Sequence, residues 1–287
     1  MKAQNPELWA AERIIAMLEE GALPPWRKTW TGGGLPQNGS SKREYNGLNR
    51  WLLMMAPYAS PYFLTFKQIA KLGGKVRKGE KSWPVYFWGS RDGTDAEGNQ
   101  KRSVFCKGYR VFNIEQTEGI PADKIPTTPE GTEFEHDPIA ACEAVSAGYA
   151  GAPVVKQGGG RACYSPIRDE VCMPEAKQFE HREHYYSVLF HEYTHSTGHS
   201  TRLNRSELTS LTDQYAYSKE ELVAEFGAAM LAAQCGIERD TIENSAAYIK
   251  GWASRLKSDP ETLVFASRDA GKAVDHILGK TYGKDKD

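Results

Sequence analysis

The chain has 287 residues, 40% hydrophobic and 25% charged, with a formal net charge of −1 at pH 7. That composition is globular rather than disordered, and no apolar run is long enough to span a bilayer. The five cysteines, Cys106, Cys142, Cys163, Cys172 and Cys235, are odd in number and lack a C-x-x-C pair. They point to reduced thiols in a cytoplasmic protein, serving as small buried apolar residues, rather than to a disulfide framework.

The near-neutral total conceals two halves of opposite sign. Residues 1–115 carry 18 Lys+Arg against 10 Asp+Glu, and residues 116–287 carry 18 against 27, balances of +8 and −9. A polyanionic partner is therefore expected for the first half only. The sign changes within "NIEQTEGIPADKIPTTPEGTEFEHDP" (113–138), rich in Pro, Thr and Glu and poor in apolar residues. The expected organisation is a first domain over 1–115, a linker over 116–138 and a second domain over 139–287, both domains α+β.

In chain order, "MKAQNPELWAAERIIAMLEEG" reads as an amphipathic helix; Glu7, Glu12, Glu19 and Glu20 interrupt it too often for a signal peptide. Six of the seven tryptophans fall within the first 115 residues, among basic residues: "PWRKTW" (25–30), "SSKREYNGLNRW" (40–51) and "KLGGKVRKGEKSWPVYFW" (71–88). This interleaving suits single-stranded nucleic acid, whose open base faces stack on aromatic rings while Lys and Arg follow the phosphates. Most of the rings are nonetheless expected to build the core of a small antiparallel α+β domain. The DNA-contacting candidates are Trp30, Arg43, Lys75, Arg77, Lys78 and Lys81. The last four lie in a glycine-broken turn between a helix, "TFKQIAKL", and a strand, "WPVYFWG". The tip "GGGLPQNGSSKRE" (32–44) is expected to be mobile until something binds. "SRDGTDAEGNQKR" (90–102) is expected to join that strand to "SVFCKGYRVFN" as a hairpin.

In the second half, "ACYSPIRDEVCMP" (162–174) reads as a hairpin whose edge strand could hold an extended peptide. Residues 176–197 have helical length and periodicity, with Gly198 as the stop. Within them, His191-Glu192-x-x-His195 is an H-E-x-x-H pattern. The i, i+4 spacing puts both imidazoles on one helical face for a metal, and the adjacent Glu192 can accept a proton from the attacking water. The alternative is a surface helix carrying two histidines. A three-histidine site is not expected, because Thr201 stands where the longer pattern needs its last histidine. His199 either lines the cleft or caps the loop.

A third ligand is expected from the helix "YSKEELVAEFGAAMLAAQCGI" (217–237), where Glu221 and Glu225 share one face. Glu221 is expected to ligate and Glu225 to orient a ligand histidine. Two competing assignments stand beside this: the reverse order, and a capping box of Ser218 with Glu221. Tyr215 and Tyr217 either donate to an oxyanion or pack. Two His and one Glu suit zinc and also admit manganese or cobalt.

Beyond these residue-level readings, "LPPWRKTW", "YNGLNRWLL", "YFLTFKQIAKLGGKVRKGEKSWPVYFW" and "YRVFNIEQT" resemble the N-terminal domain of the ArdC-type antirestriction proteins of conjugative plasmids. "YSPIRDEVCMP", "YYSVLFHEYTHSTGHSTRLNR" and "YSKEELVAEFGAAML" resemble the zincin-like metallopeptidase domain that follows it in that family. The resemblance implies a domain associated with single-stranded DNA joined to a metallopeptidase. It places His191, Glu192 and His195 at the metal pattern and Glu221 and Glu225 at the matching carboxylates. It also implies protection of incoming plasmid DNA from host restriction, with a protein substrate or a restriction enzyme as a further partner. Two other functions fit the same residues: a non-catalytic DNA-occluding protein with a structural metal, and a DNA-tethered protease that clears proteins from DNA.

Overall fold

A computed structural model of the chain describes residues 35–54, 56–94, 100–125, 137–209, 214–237 and 261–280, together with Glu12, Ala16 and Asp259. The amphipathic stretch at 1–21 and Trp30 lie otherwise outside the described residues, as do the side chains of Trp51, Trp88, Tyr215 and Tyr217. In order, the elements are β1 (Gln37–Asn38), α1 (Gly47–Met54), β2 (Tyr62–Thr65), α2 (Phe66–Lys71), β3 (Lys75–Val76), β4 (Trp83–Thr94), β5 (Gln100–Asn113) and β6 (Thr117–Glu118). After these come α3 (Pro138–Gly148), β7 (Val154–Gln157), β8 (Cys163–Ser165), β9 (Glu170–Met173), α4 (Arg182–Ser196), α5 (Gln214–Cys235) and α6 (Glu261–Ile277). The fold is mixed helix and sheet, as the sequence led us to expect.

The first half is built on a four-stranded sheet in the order β1-β2-β5-β4. Its largest part is the expected hairpin, β4 against β5, in register from Trp83↔Val111 to Thr94↔Gln100. Helix α2 starts where Thr65 and Gln68 form a reciprocal capping box, which satisfies two otherwise orphaned backbone donors. The tip expected to be mobile is ordered from Leu35 onward. Asn38 Oδ1 accepts from the Ser40 and Ser41 N–H groups, each at 3.0 Å, and Gln37 N–H donates to the Pro61 carbonyl.

The basic turn is not an open loop either. Lys75–Val76 form a strand paired with Thr117–Glu118. This pairing also corrects the beginning of the expected linker: Gln116 is fully buried, and its side chain binds Glu80 at 2.9 Å and the Lys81 carbonyl at 3.0 Å. A small core of Tyr62, Leu64, Ile69, Ile114 and Ile120 underlies this corner.

The main core crosses from one half to the other. Leu48, Leu52 and Leu53 of α1 join Leu263, Ala266, Ala270 and Val274 of α6, and then Val223, Met230 and Leu231 of α5. Each fully buried leucine contributes about 1.5–3 kcal/mol relative to exposure. Arg50 sits in this seam with no exposed surface. Its Nε donates to the Tyr45 carbonyl at 2.9 Å and its Nη2 to Asn46 at 2.9 Å, while the Asp275 and Glu44 carboxylates lie 3.5 Å away. Glu44 is held a second time, by Lys280 Nζ at 2.7 Å.

A buried charge deprived of its partner costs about 3–5 kcal/mol. We therefore expect Arg50→Ala to lose about that much stability in urea denaturation, because Asp275 and Glu44 lose the cation between them. Fluorescence and far-UV signals should still report one transition, because the core that loses the cation belongs to both halves. A change below about 0.5 kcal/mol would contradict this account of the seam.

Candidate metal centre

Helix α4 runs over 182–196, shorter than the expected 176–197, because Ala176–Gln178 form a separate 3-10 turn. It is covered on most sides: from Tyr185 to Ser196, all but Ser187, Val188 and His191 are buried. Helix α5 approaches it closely at one point. A Cβ on Gly227 would lie 2.4–2.5 Å from the Thr194 side chain, so only glycine admits this spacing. The contact carries the acidic face of α5 onto the histidine face of α4.

Three donors converge there. His191 Nε2 and His195 Nε2 are 3.1 Å apart, Glu221 Oε2 lies 3.6 Å from the first, and Glu221 Oε1 lies 3.5 Å from the second. Among the described residues, these three form the one cluster of His, Cys, Asp or Glu able to hold a metal ion. Donors bound tetrahedrally at about 2.1 Å would be about 3.4 Å from one another, so the triangle has the size a single cation needs.

Both histidines are braced through their other nitrogen. His191 Nδ1 lies 3.4 Å from Glu225 Oε1, and His195 Nδ1 lies 3.2 Å from Glu220 Oε1. A carboxylate on Nδ1 fixes the tautomer and leaves Nε2 free to ligate. Glu221 thus faces both Nε2 atoms while Glu225 stands behind one ring, the order favoured from sequence. The capping-box alternative is overturned: α5 begins at Gln214, so Ser218 lies inside the helix rather than at its cap. Glu192 is buried, and its charge bears on both His191 and the Cys163 thiol.

Burial disfavours charge on His191, but the hydrogen bond to Glu221 and the charges of Glu225 and Glu192 outweigh it and raise its pKa to about 9. Burial also opposes ionisation of Glu220, yet hydrogen bonds from Arg205 and His195 hold its pKa below the usual range. Burial pushes Glu225 the other way, against the pull of His191.

Sequence reasoning missed Glu220 and Arg205. Arg205 grips Glu220 with two bonds, Nε to Oε2 at 2.9 Å and Nη2 to Oε1 at 2.6 Å. It also donates to the Thr194 carbonyl at 2.9 Å and the Thr197 hydroxyl at 2.7 Å. A cation at the carboxyl end of α4 is favoured by the helix dipole. Gly198 leaves room for it, since a Cβ there would meet the guanidinium at 2.9 Å. His199 serves the loop, its Nδ1 lying 2.8 Å from Thr201 Oγ1.

The sequence-derived DNA candidates are scattered among local partners. Lys75 pairs with Glu118 at 3.2 Å, and Arg77 pairs with Glu80 at 3.3 Å and the Glu115 carbonyl. Lys78, Lys81 and Arg43 are exposed. Only one of the six N-terminal tryptophans, Trp83, has a described side chain, and it is core, 7% exposed. A different aromatic set is exposed on one face of the β4–β5 ribbon: Phe87 and Tyr109 at 54% and 42%, with Lys107 Nζ 5.4 Å from the Tyr109 ring.

Comparison with known proteins decides the family. A family model described as the N-terminal domain of anti-restriction factor ArdC matches residues 9–112, and one described as zincin-like metallopeptidase matches 143–269. The crystal structure of the antirestriction ArdC protein from the R388 plasmid, metal-free, superposes with a TM-score of 0.76 at 34% identity, covering 96% of this chain and 97% of that one. The chain belongs to the ArdC antirestriction family. The Mn(II)-bound structure of the R388 protein matches at 33% identity with a TM-score of 0.74, covering 96% and 98% of the two chains.

Among curated relatives, an uncharacterized protein y4eC of Sinorhizobium fredii (strain NBRC 101917 / NGR234) is 32% identical over 92% of this chain and 88% of its own length. The DNA primase TraC of Escherichia coli is 32% identical over 93% of this chain, which spans only 19% of that relative's length. The zincin-like domain, the Mn(II)-bound family member and the three-donor cluster together support a divalent metal at this centre. Among the described residues, no helix is long and apolar enough to cross a membrane.

Losing a partner that orients a metal-bound histidine typically costs 10–100-fold in metal affinity. Glu220→Gln, which keeps the shape and removes the charge, is therefore expected to weaken divalent-metal binding about 10–100-fold in competitive chelator titration. Unchanged affinity would show that the Arg205–Glu220 pair only packs.

Proposed function

We propose that the chain is a plasmid antirestriction protein in which a single-stranded-DNA-binding first half is coupled to a metal-dependent peptidase in the second. The observation that carries the enzymatic reading is the triangle of His191, His195 and Glu221, with the buried Glu192 beside it. His191, His195 and Glu221 would hold the cation, with Glu225 and Glu220 orienting the two rings. Zinc fits two imidazoles and a carboxylate, and manganese or cobalt can replace it. When bound, such an ion supplies Lewis acidity.

The chain's own groups do the remaining work. Glu192 accepts a proton from the attacking water and returns it to the leaving amine, a general-base and general-acid role worth about 10²–10⁴ in rate. Burial keeps its carboxylate clear of competing bulk water. β8 lies at the edge of the β7-β9-β8 sheet and against α4, and an extended peptide would bind there by adding a strand. The protein substrate would be a restriction enzyme or another protein on the incoming DNA.

For the DNA half, Phe87 and Tyr109 with Lys107 present stacking surfaces beside a cation, and exposed Lys78, Lys81 and Arg43 add positive charge. Stacking is worth about 1–3 kcal/mol per base and is unavailable in a duplex. Single strands are therefore the favoured ligand.

Two measurements test this reading. Glu192→Ala should keep its metal and its DNA affinity while losing at least about 10²-fold in hydrolysis of a casein-type substrate. If antirestriction in cells survives that substitution, protection comes from DNA binding alone. Phe87→Ala with Tyr109→Ala should weaken binding to a single-stranded oligonucleotide by about 2–6 kcal/mol, additively, and leave the salt slope unchanged, because the lost contacts are not phosphate contacts. An equal loss for duplex DNA would remove the stacking account.

A further inference from the structure

The five cysteines were expected to be small buried residues, and only Cys142 and Cys235 are. Cys163 is exposed and Cys172 is half-buried. These two face one another: β8 and β9 are antiparallel, and the register places Cys163 directly opposite Cys172. Opposed residues in an antiparallel pair project to the same side of the sheet, with Cα atoms about 4.5 or 5.5 Å apart. Both spacings fall within the window of about 4.4–6.8 Å that a disulfide spans without moving backbone. The thiols are within hydrogen-bonding reach of each other, and Cys163 lies within electrostatic reach of Glu192.

The hairpin carrying them is already fixed. Arg202 donates from Nη1 to Asp169 Oδ2 at 3.0 Å and to the Gly151 carbonyl at 2.9 Å, and from Nε to the Ser196 carbonyl at 2.7 Å. The β8–β9 turn is thus tied to the end of α4, and the two thiols are held together rather than meeting by chance.

We propose that Cys163 and Cys172 are a redox-active dithiol that reacts with low-molecular-weight disulfides and closes into a cross-strand disulfide at the edge of the small sheet that lies against α4. The co-reactant is a disulfide of the glutathione class. The Cys163 thiolate attacks one sulfur of glutathione disulfide and a glutathione thiolate leaves. The Cys172 thiolate then attacks the Cys163 sulfur and expels the second glutathione. Two protein thiols are oxidised, one glutathione disulfide is reduced to two glutathiones, and the two thiol protons pass to the leaving thiolates. Disulfides of this kind in a reducing compartment are transient sensing devices rather than staples. Burial and the neighbouring Cys172 push the Cys163 thiol above its ordinary pKa, so exchange accelerates with pH, about tenfold per unit below that pKa.

Cys142 and Cys235 provide an internal comparison. They also contact one another, but both are fully buried between α3 and α5 and no oxidant reaches them in the folded chain. The inference does not rest on the peptidase reading, because its readout is a covalent mass.

The experiment is peptide mass mapping of the full chain after exposure to glutathione disulfide at pH 8, without reduction. The expected product is a Cys163–Cys172 link with the linked peptides together lighter by two hydrogens, whatever glutathione exposed Cys106 carries, with Cys142 and Cys235 still free and reversal by dithiothreitol. Cys172→Ser should stop at the first step and retain one glutathione on Cys163. The proposal is overturned if the wild-type chain accumulates glutathione on Cys163 without a link. It is equally overturned if Cys142–Cys235 links as fast as Cys163–Cys172, or if neither thiol reacts. Should Cys172→Ser fail to fold, the wild-type map alone decides.

Discussion

Two imidazole nitrogens 3.1 Å apart cannot both present lone pairs to one another; a hydrogen-bonding proton or a metal cation has to stand between them. The second half of this protein is arranged around that requirement. Glu221 brings negative charge to the pair, and Glu225 and Glu220 bring more behind the rings. At His191 the hydrogen bond to Glu221 and the charges of Glu225 and Glu192 outweigh burial and raise the pKa to about 9. A divalent cation answers the same electrostatic demand. The cluster exists because α5 comes close enough to α4, and it can do so only where Gly227 meets Thr194.

The same helices bind the halves together. α4 packs on α5, α5 on α6, and α6 on α1 of the first half, so the metal cluster and the four-stranded sheet stand at the two ends of one continuous core. Arg50 neutralises acidic groups from both halves inside that core. A protein whose two halves sat on a loose tether would need neither a shared core nor a buried cation at the seam. The fold instead presents a fixed geometry between them.

Much of the metal centre was legible in the sequence because it is written at helical spacing. His191 with His195, and Glu221 with Glu225, are each one turn apart, and a turn is a local property. What crosses between elements was not legible. Glu220 and Arg205 carry no local signal that joins them; only the packing of α5 on the end of α4 makes them a pair. The opposition of Cys163 and Cys172 depends on strand register, which a hairpin reading leaves free by a residue or two. Ser218 offered a sound capping signal that lost to a helix starting a full turn earlier, at Gln214. On the first half, the aromatic and basic composition pointed to a ligand class. Which rings are core and which are exposed depends on sheet faces, and composition alone does not separate buried Trp83 from exposed Phe87 and Tyr109.

The account rests on one cation shared by three side chains. Anomalous diffraction from crystals grown with Zn(II) or Mn(II) tests it most directly. It predicts one strong peak per chain, within about 2.0–2.2 Å of His191 Nε2, His195 Nε2 and a Glu221 oxygen, and beyond bonding distance of Glu225 and Glu220. A chain saturated with metal that shows no peak there, or one ligated by Glu225 in place of Glu221, would contradict it.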